Sequence, residues 1–225
     1  MIAGFRSLTF WEKIQVGTSF FLLLTLVGAI VWSALNFQWL TLFISVLAFI
    51  ASTVPFIWLK KRYHLFLPVE FQFAVVLFVY ASLFLGELGF YERFWWWDMV
   101  LHTGSGFAIG FLGFLILLLL HLKGKFSVSP YLFAFFTFSF ALSLGALWEI
   151  FEFAIDVFFD TNMQRRETGV VDTMNDLILD AIGALIASVF AYEYINHEKK
   201  DHQRPMLFRY LVVKFLKKNP KILDK

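Results

Sequence analysis

Six apolar stretches, each near the ~20 residues that carry a helix across a bilayer, leave this chain little freedom of fold class. They run over 14–35, 39–59, 69–89, 98–120, 131–158 and 174–195. The expectation is an all-α, polytopic helical membrane bundle over residues 1–198. Residues 199–225 are left as a basic, amphipathic tail, and there is no room for a separate soluble domain. A 60% hydrophobic and 16% charged composition excludes an ordinary soluble protein. With no cysteine, disulfides, thiolate metal sites and cysteine nucleophiles are excluded together. No small-residue cleavage site follows the first apolar run, so a retained first helix is expected in place of a signal peptide.

The breaks between stretches are legible. Asn36-Phe37-Gln38 is a tight connection, Lys60-Lys61-Arg62 before Pro68 ends the second helix, and Lys123-Gly124-Lys125 before Pro130 separates the fourth and fifth. Lysine and arginine bias sets topology. With the N-terminus inside, sixteen basic residues fall on the cytoplasmic side, and Arg93, Arg165 and Arg166 fall outside. That predicts an N-in, C-in membrane protein. In the tail, Met206 to Lys218 alternates apolar and basic residues near helical spacing, as in a helix lying on an anionic leaflet. Membrane lipids are the expected partners. No nucleic-acid partner is expected, and the oligomeric state stays open.

Against this apolar background stand Glu87, Asp98, His102, Glu149, Glu152, Asp172, Asp176 and Asp180. Ionisable groups within membrane helices are costly and point to function by default. The predicted topology brings those of the third to sixth helices to similar depth in the extracytoplasmic half. At ~100° per residue, Asp98 and His102 share a face, as do Glu149, Glu152 and Asp156. Asp172, Asp176 and Asp180 drift only ~40° per step along one stripe. Gly104-Ser105-Gly106 reads as a close helix contact, because its glycines lie inside an apolar helix and not in a phosphate-binding loop.

So many neighbouring carboxylates cannot all stay ionised and unpaired. Either several hold protons or cations neutralise them. Oxygen-rich sites with one imidazole suit Mg, Mn or Zn, which makes Asp98, His102, Glu149, Asp172, Asp176 and Asp180 candidate metal ligands. A bound metal would polarise a phosphoryl oxygen or activate water. His102, Glu149 and Glu152 are the candidate acid/base groups, and Arg165 and Arg166 the candidate phosphate clamp. H-E-x-x-H, G-x-S-x-G and Walker patterns are absent, and so are the paired E-x-x-H motifs of di-iron bundles.

Trp97-Asp98-Met99-Val100-Leu101-His102-Thr103-Gly104-Ser105-Gly106-Phe107 resembles the D-x-x-x-H-x-x-x-G-F segment of the YjdF-like (DUF2238-type) bacterial inner-membrane proteins. Trp148-Glu149-Ile150-Phe151-Glu152 is similar to that family's (W/Y)-E-x-x-E helix. Val171-Asp172-Thr173-Met174-Asn175-Asp176, with Asp180 to Ala184 following, resembles its W-D-T-x-x-D stretch. The match covers roughly 65–190 and implies a membrane protein without bringing an activity. This chain departs in having Met99 where the family pairs aspartate with lysine, and Asp180 adds an acid. A looser similarity to VanZ-like proteins falls on Asp98, His102, Glu149, Arg165 or Arg166, Asp176, Asp180 and Gly183. It implies envelope lipid or glycan chemistry.

Three functional classes remain open from sequence: metal-assisted chemistry on envelope lipids or lipid-linked precursors, a proton- or cation-coupled transporter, and a non-enzymatic assembly or scaffold protein. Nearly apolar inner halves of the helices (Ile109–Leu120, Leu132–Ala141, Leu185–Ala191) favour a one-sided pocket over a through-pathway.

Overall fold

The computed structural model describes residues 8–124, 128–159, 163–164, 169–198 and 206–220. Six helices are long and apolar enough to cross a membrane. They are α1 (Phe10–Leu35), α2 (Trp39–Tyr63), α3 (Val69–Glu87), α5 (Trp97–Leu122), α6 (Pro130–Phe159) and α7 (Val170–Glu198). A short α4 (Phe90–Arg93) precedes α5, and an amphipathic α8 (Met206–Lys218) follows α7. The described chain is all-helical, as the sequence predicts.

Local chemistry sets the helix ends. α1 begins at Phe10, before the apolar run, because Thr9 and Glu12 form a capping box. The Thr9 N–H donates to Glu12 Oε2 at 2.7 Å, and the Glu12 N–H donates to Thr9 Oγ1 at 3.3 Å. The α1–α2 turn is closed by Phe37 at φ 56°. Lys60, Lys61 and Arg62 occupy the last turn of α2, where cations complement the carbonyl end of the helix. α3 is not regular throughout: Tyr80–Phe84 forms a π-helical turn.

The described helices fall into two compact units. The first comprises α1 to α4, with Lys217–Asn219. Its buried centre is Leu26, Ala48 and Phe84. Thr25 Oγ1 donates to the Tyr80 hydroxyl at 3.1 Å across α1 and α3. Asn219 clasps the backbone of Phe66, accepting its N–H at 2.8 Å and donating from Nδ2 to its carbonyl at 2.9 Å.

The second unit holds α5, α6, α7 and α8 up to Leu216. Its helices approach through glycines, as expected where lipid offers no hydrophobic gain and close van der Waals contact must hold helices together. Gly106 of α5 lies against the Asp180 backbone, and Gly183 of α7 lies against the Thr103 carbonyl and the Phe107 N–H. One turn further, a Cβ on Gly110 would stand 2.7 Å from Ala187 Cβ. Gly113 receives the Phe140 ring of α6 in the same manner. Of the Gly104-Ser105-Gly106 triplet, only Gly106 makes such a contact, since nothing lies within 4 Å of a Cβ on Gly104.

Beyond these crossings the unit is filled by aromatics. Phe208 of α8 is fully buried, with its ring centroid 4.8 Å from Phe111, 5.0 Å from Phe114 and 5.4 Å from Phe190. Val212 and Phe215 extend that buried stripe. Met206–Lys218 therefore forms a helix whose apolar face is spent on α5 and α7.

Two outcomes follow for purified protein in detergent. Gly183→Ala must push its methyl into backbone and should cost about 1–3 kcal/mol, whereas Gly104→Ala has open space and should be neutral or stabilising by up to ~1 kcal/mol. Phe208→Ala should cost of the order of 3 kcal/mol through the void it leaves. Thermal unfolding of the variants measures both.

Candidate functional site

Three helices of the second unit meet at one imidazole. His102 lies one turn into α5, on the face that Gly106 holds against α7. Asp98 precedes it by four residues, in the first turn, where the free N–H groups favour a carboxylate. From α7 come Asp176 and Asp180, also one turn apart. Asp98 Oδ1 stands 3.5 Å and Asp176 Oδ1 3.8 Å from His102 Nε2, while Asp180 Oδ1 stands 3.4 Å from Nδ1. His102, Asp176 and Asp180 are buried and Asp98 is half-buried.

Asp180, only 2% exposed, is the most enclosed of these groups. The Ser105 hydroxyl hydrogen is shared between the His102 carbonyl at 2.8 Å and Asp180 Oδ1 at 3.2 Å. Gly145 of α6 faces Asp180 Oδ2 so closely that any side chain there would collide with the carboxylate. Glycine on one helix thus makes room for an acid on another.

Glu149 stands one turn beyond Gly145 on α6. It is 4% exposed, and neither carboxylate oxygen has a hydrogen-bond partner among the described residues. It lies within electrostatic range of His102, Asp180 and Asp98. The Thr173 hydroxyl faces it and accepts from Gln164 Nε2 at 2.9 Å. Burying an unsatisfied carboxylate costs several kcal/mol, so this group is held ready for a proton or a cation.

Of the other sequence candidates, Glu152 is within electrostatic range of Glu149, His102 and Asp98, and Asp172 within range of Asp176. Glu152 is half-buried, and its Oε1 accepts from the Trp148 indole at 2.9 Å. Asp156 accepts from the N–H groups of Met163 (2.8 Å) and Gln164 (3.0 Å), fastening the α6–α7 connection. Asp172 is half-buried in the first turn of α7. Glu87 belongs to the first unit, where Thr41 Oγ1 donates to it at 2.8 Å. Arg165 and Arg166 lie outside the described residues.

Asp98, His102 and Asp176 form the group able to hold a metal ion, each offering a ligand atom within 4.8 Å of the others. Ligands bound at ~2.1 Å lie up to ~4.2 Å apart, so small side-chain rotations suffice. Asp180 faces the opposite ring nitrogen, and Glu149 and Asp172 lie outside that spacing. Ser105, Gly145 and Thr173 join the site without having been singled out as site residues. The signal available for Gly145 was its place one turn before Glu149.

Residues 18–197 match the family described as "Predicted membrane protein (DUF2238)". The chain belongs to that family. The match reaches all six long helices, α1 from residue 18 onward, and takes in every described member of the His102 cluster. An uncharacterized protein of Thermotoga maritima is 30% identical over 140 residues, covering 61% of this chain and 69% of that protein. No solved structure matches. The family membership agrees with the multi-pass membrane architecture and assigns no chemistry to this DUF2238 protein.

The Gly145–Asp180 contact can be isolated. Gly145→Ala should destabilise the protein by about 1–3 kcal/mol by displacing a carboxylate. In an Asp180→Ala background the same change should cost at least ~0.5 kcal/mol less. A double-mutant cycle on thermal or denaturant unfolding reads the coupling.

Proposed function

We propose that this is a metal-dependent membrane enzyme of the bacterial inner membrane, acting on phospholipids or lipid-linked envelope precursors. The observation that carries the reading is the grouping of Asp98, His102 and Asp176 beside the buried, unpartnered Glu149. Two carboxylates and one imidazole form a mainly oxygen donor set, suited to Mg, Mn or Zn. When bound, such a cation would polarise a phosphoryl oxygen and make a coordinated water a better nucleophile.

Glu149 would take the proton of the attacking water or alcohol as its oxygen bonds to phosphorus. The ester P–O bond then breaks, and the leaving oxygen takes up a proton, with Glu152 next along the same face as its source. Arg165 and Arg166, placed by sequence in the α6–α7 connection, would hold the substrate phosphate. The basic-residue bias supports an N-in, C-in topology, which puts the site on the extracytoplasmic side. The VanZ-like pattern leans toward the same envelope substrates.

A proton- or cation-coupled transporter is the second reading, because the unpaired Glu149 also suits a proton carrier. Against it stands the interior of the second unit beyond the site, closed by Phe111, Phe114, Phe133 and Phe208. Thr137, Ser188 and Tyr194 carry the buried hydroxyls there, too few to make a polar path among the described residues.

Purified protein should bind a divalent metal stoichiometrically, and Asp98→Ala and Asp176→Ala should each abolish it. Glu149→Gln should retain metal while lowering phosphoryl-transfer turnover about 10²–10⁴-fold. Elemental analysis and phosphate or headgroup release from a lipid panel are the readouts. Protons compete with metal for His102 Nε2 and the carboxylates, so affinity should rise with pH, with protons released on binding. A parent protein that binds no metal at any pH where it stays folded ends the metalloenzyme reading.

A further inference from the structure

The sequence places Asp180 among the metal ligands, because it continues the stripe of Asp172 and Asp176. Its surroundings assign a different task. Asp180 Oδ1 stands 3.4 Å from His102 Nδ1, whereas Asp98 and Asp176 approach Nε2. The two ring nitrogens point to opposite sides of the imidazole, so Asp180 cannot share with Asp98 and Asp176 a cation bound through Nε2.

We propose that Asp180 is a positioning residue: it accepts the Nδ1–H of His102 and thereby turns the Nε2 lone pair toward Asp98 and Asp176. The inference rests on the metal-site reading for its purpose, but the hydrogen bond stands or falls separately. Every contact around Asp180 serves to fix it. Ser105 shares its hydroxyl hydrogen with the same Oδ1 at 3.2 Å. Gly145 leaves just the space that Oδ2 fills, and Gly106 seats the Asp180 backbone against α5. A carboxylate with so little freedom holds an imidazole more rigidly than one free to follow a cation. Metal-binding histidines generally require such a partner on the second nitrogen, which fixes the tautomer and raises ligand basicity.

The arrangement divides the four carboxylates by role. Asp98 and Asp176 face the donor nitrogen, Asp180 faces its opposite, and Glu149 stays unpaired. It also accounts for Gly145, which has no function in a site where Asp180 is free to move.

The test uses the full-length, metal-stripped protein labelled with ¹⁵N-histidine, with His102 assigned by comparison with His102→Gln. In buffer alkaline enough to leave the imidazole neutral, ring-nitrogen shifts should show Nδ1 protonated and Nε2 unprotonated. Asp180→Asn should shift the proton to Nε2, and the milder Ser105→Ala should weaken the Nδ1–H hydrogen bond if Asp180→Asn fails to fold. Protonation of Nε2 in the neutral imidazole of the parent overturns the proposal, as do spectra unchanged in the folded variants.

Mn²⁺ and Zn²⁺ titration of the same samples separates the two readings. A positioning role predicts that Asp180→Asn keeps the parent stoichiometry with about 10–100-fold weaker affinity. Loss of stoichiometry, as expected for Asp98→Asn and Asp176→Asn, makes Asp180 a ligand and overturns the proposal. A parent with the Nδ1–H form that binds neither metal sinks the metal reading and leaves the positioning role standing.

Discussion

The close crossing of α5 and α7 is the contact on which the second unit depends. Gly106 and Gly183 are reciprocal: each lies against the other helix's backbone, one at Asp180 and the other at Thr103 and Phe107. With side chains on both, the helices would stand apart, and Asp176 and Asp180 would lose their reach to His102. Lipid supplies no hydrophobic pressure to close such a gap. Backbone proximity has to come from residues without Cβ, so the geometry of the polar site depends on glycines that carry no chemistry.

Electrostatics explains why such precision is needed. An imidazole with three carboxylates around it, and a fourth unpaired nearby, is a heavy load of polar groups for an apolar bundle. Each costs several kcal/mol to bury unless it is paired. His102 offers two nitrogens, and Asp98, Asp176 and Asp180 are arranged around both. Glu149 remains unsatisfied among the described residues.

Much of the site was legible because helical periodicity converts spacing into direction. Asp98 with His102, and Asp176 with Asp180, each lie four residues apart, and the structure keeps each pair on one face. What periodicity cannot supply is the angle at which a neighbouring helix arrives. Nor does it name the partner an acid meets: Glu87 accepts from Thr41 of α2. Asp180 continued a stripe of acids and still met the opposite nitrogen. The tail showed the same limit: its alternating pattern specified an amphipathic helix, while the surface covering its apolar face proved to be α5 and α7 through Phe111, Phe114 and Phe190.

The sequence by itself determined the six membrane-spanning helices, their breaks, the family and the faces on which the acids lie. These depend on hydropathy and on a fixed rotation per residue, both local properties. Tertiary structure alone decided which acids share a neighbourhood, which imidazole nitrogen each one meets, and that Gly145 exists to accommodate Asp180. Those outcomes depend on the distance and rotation between helices far apart in the chain. Side-chain volume at a few crossing points sets them, and it leaves no periodic trace in the sequence.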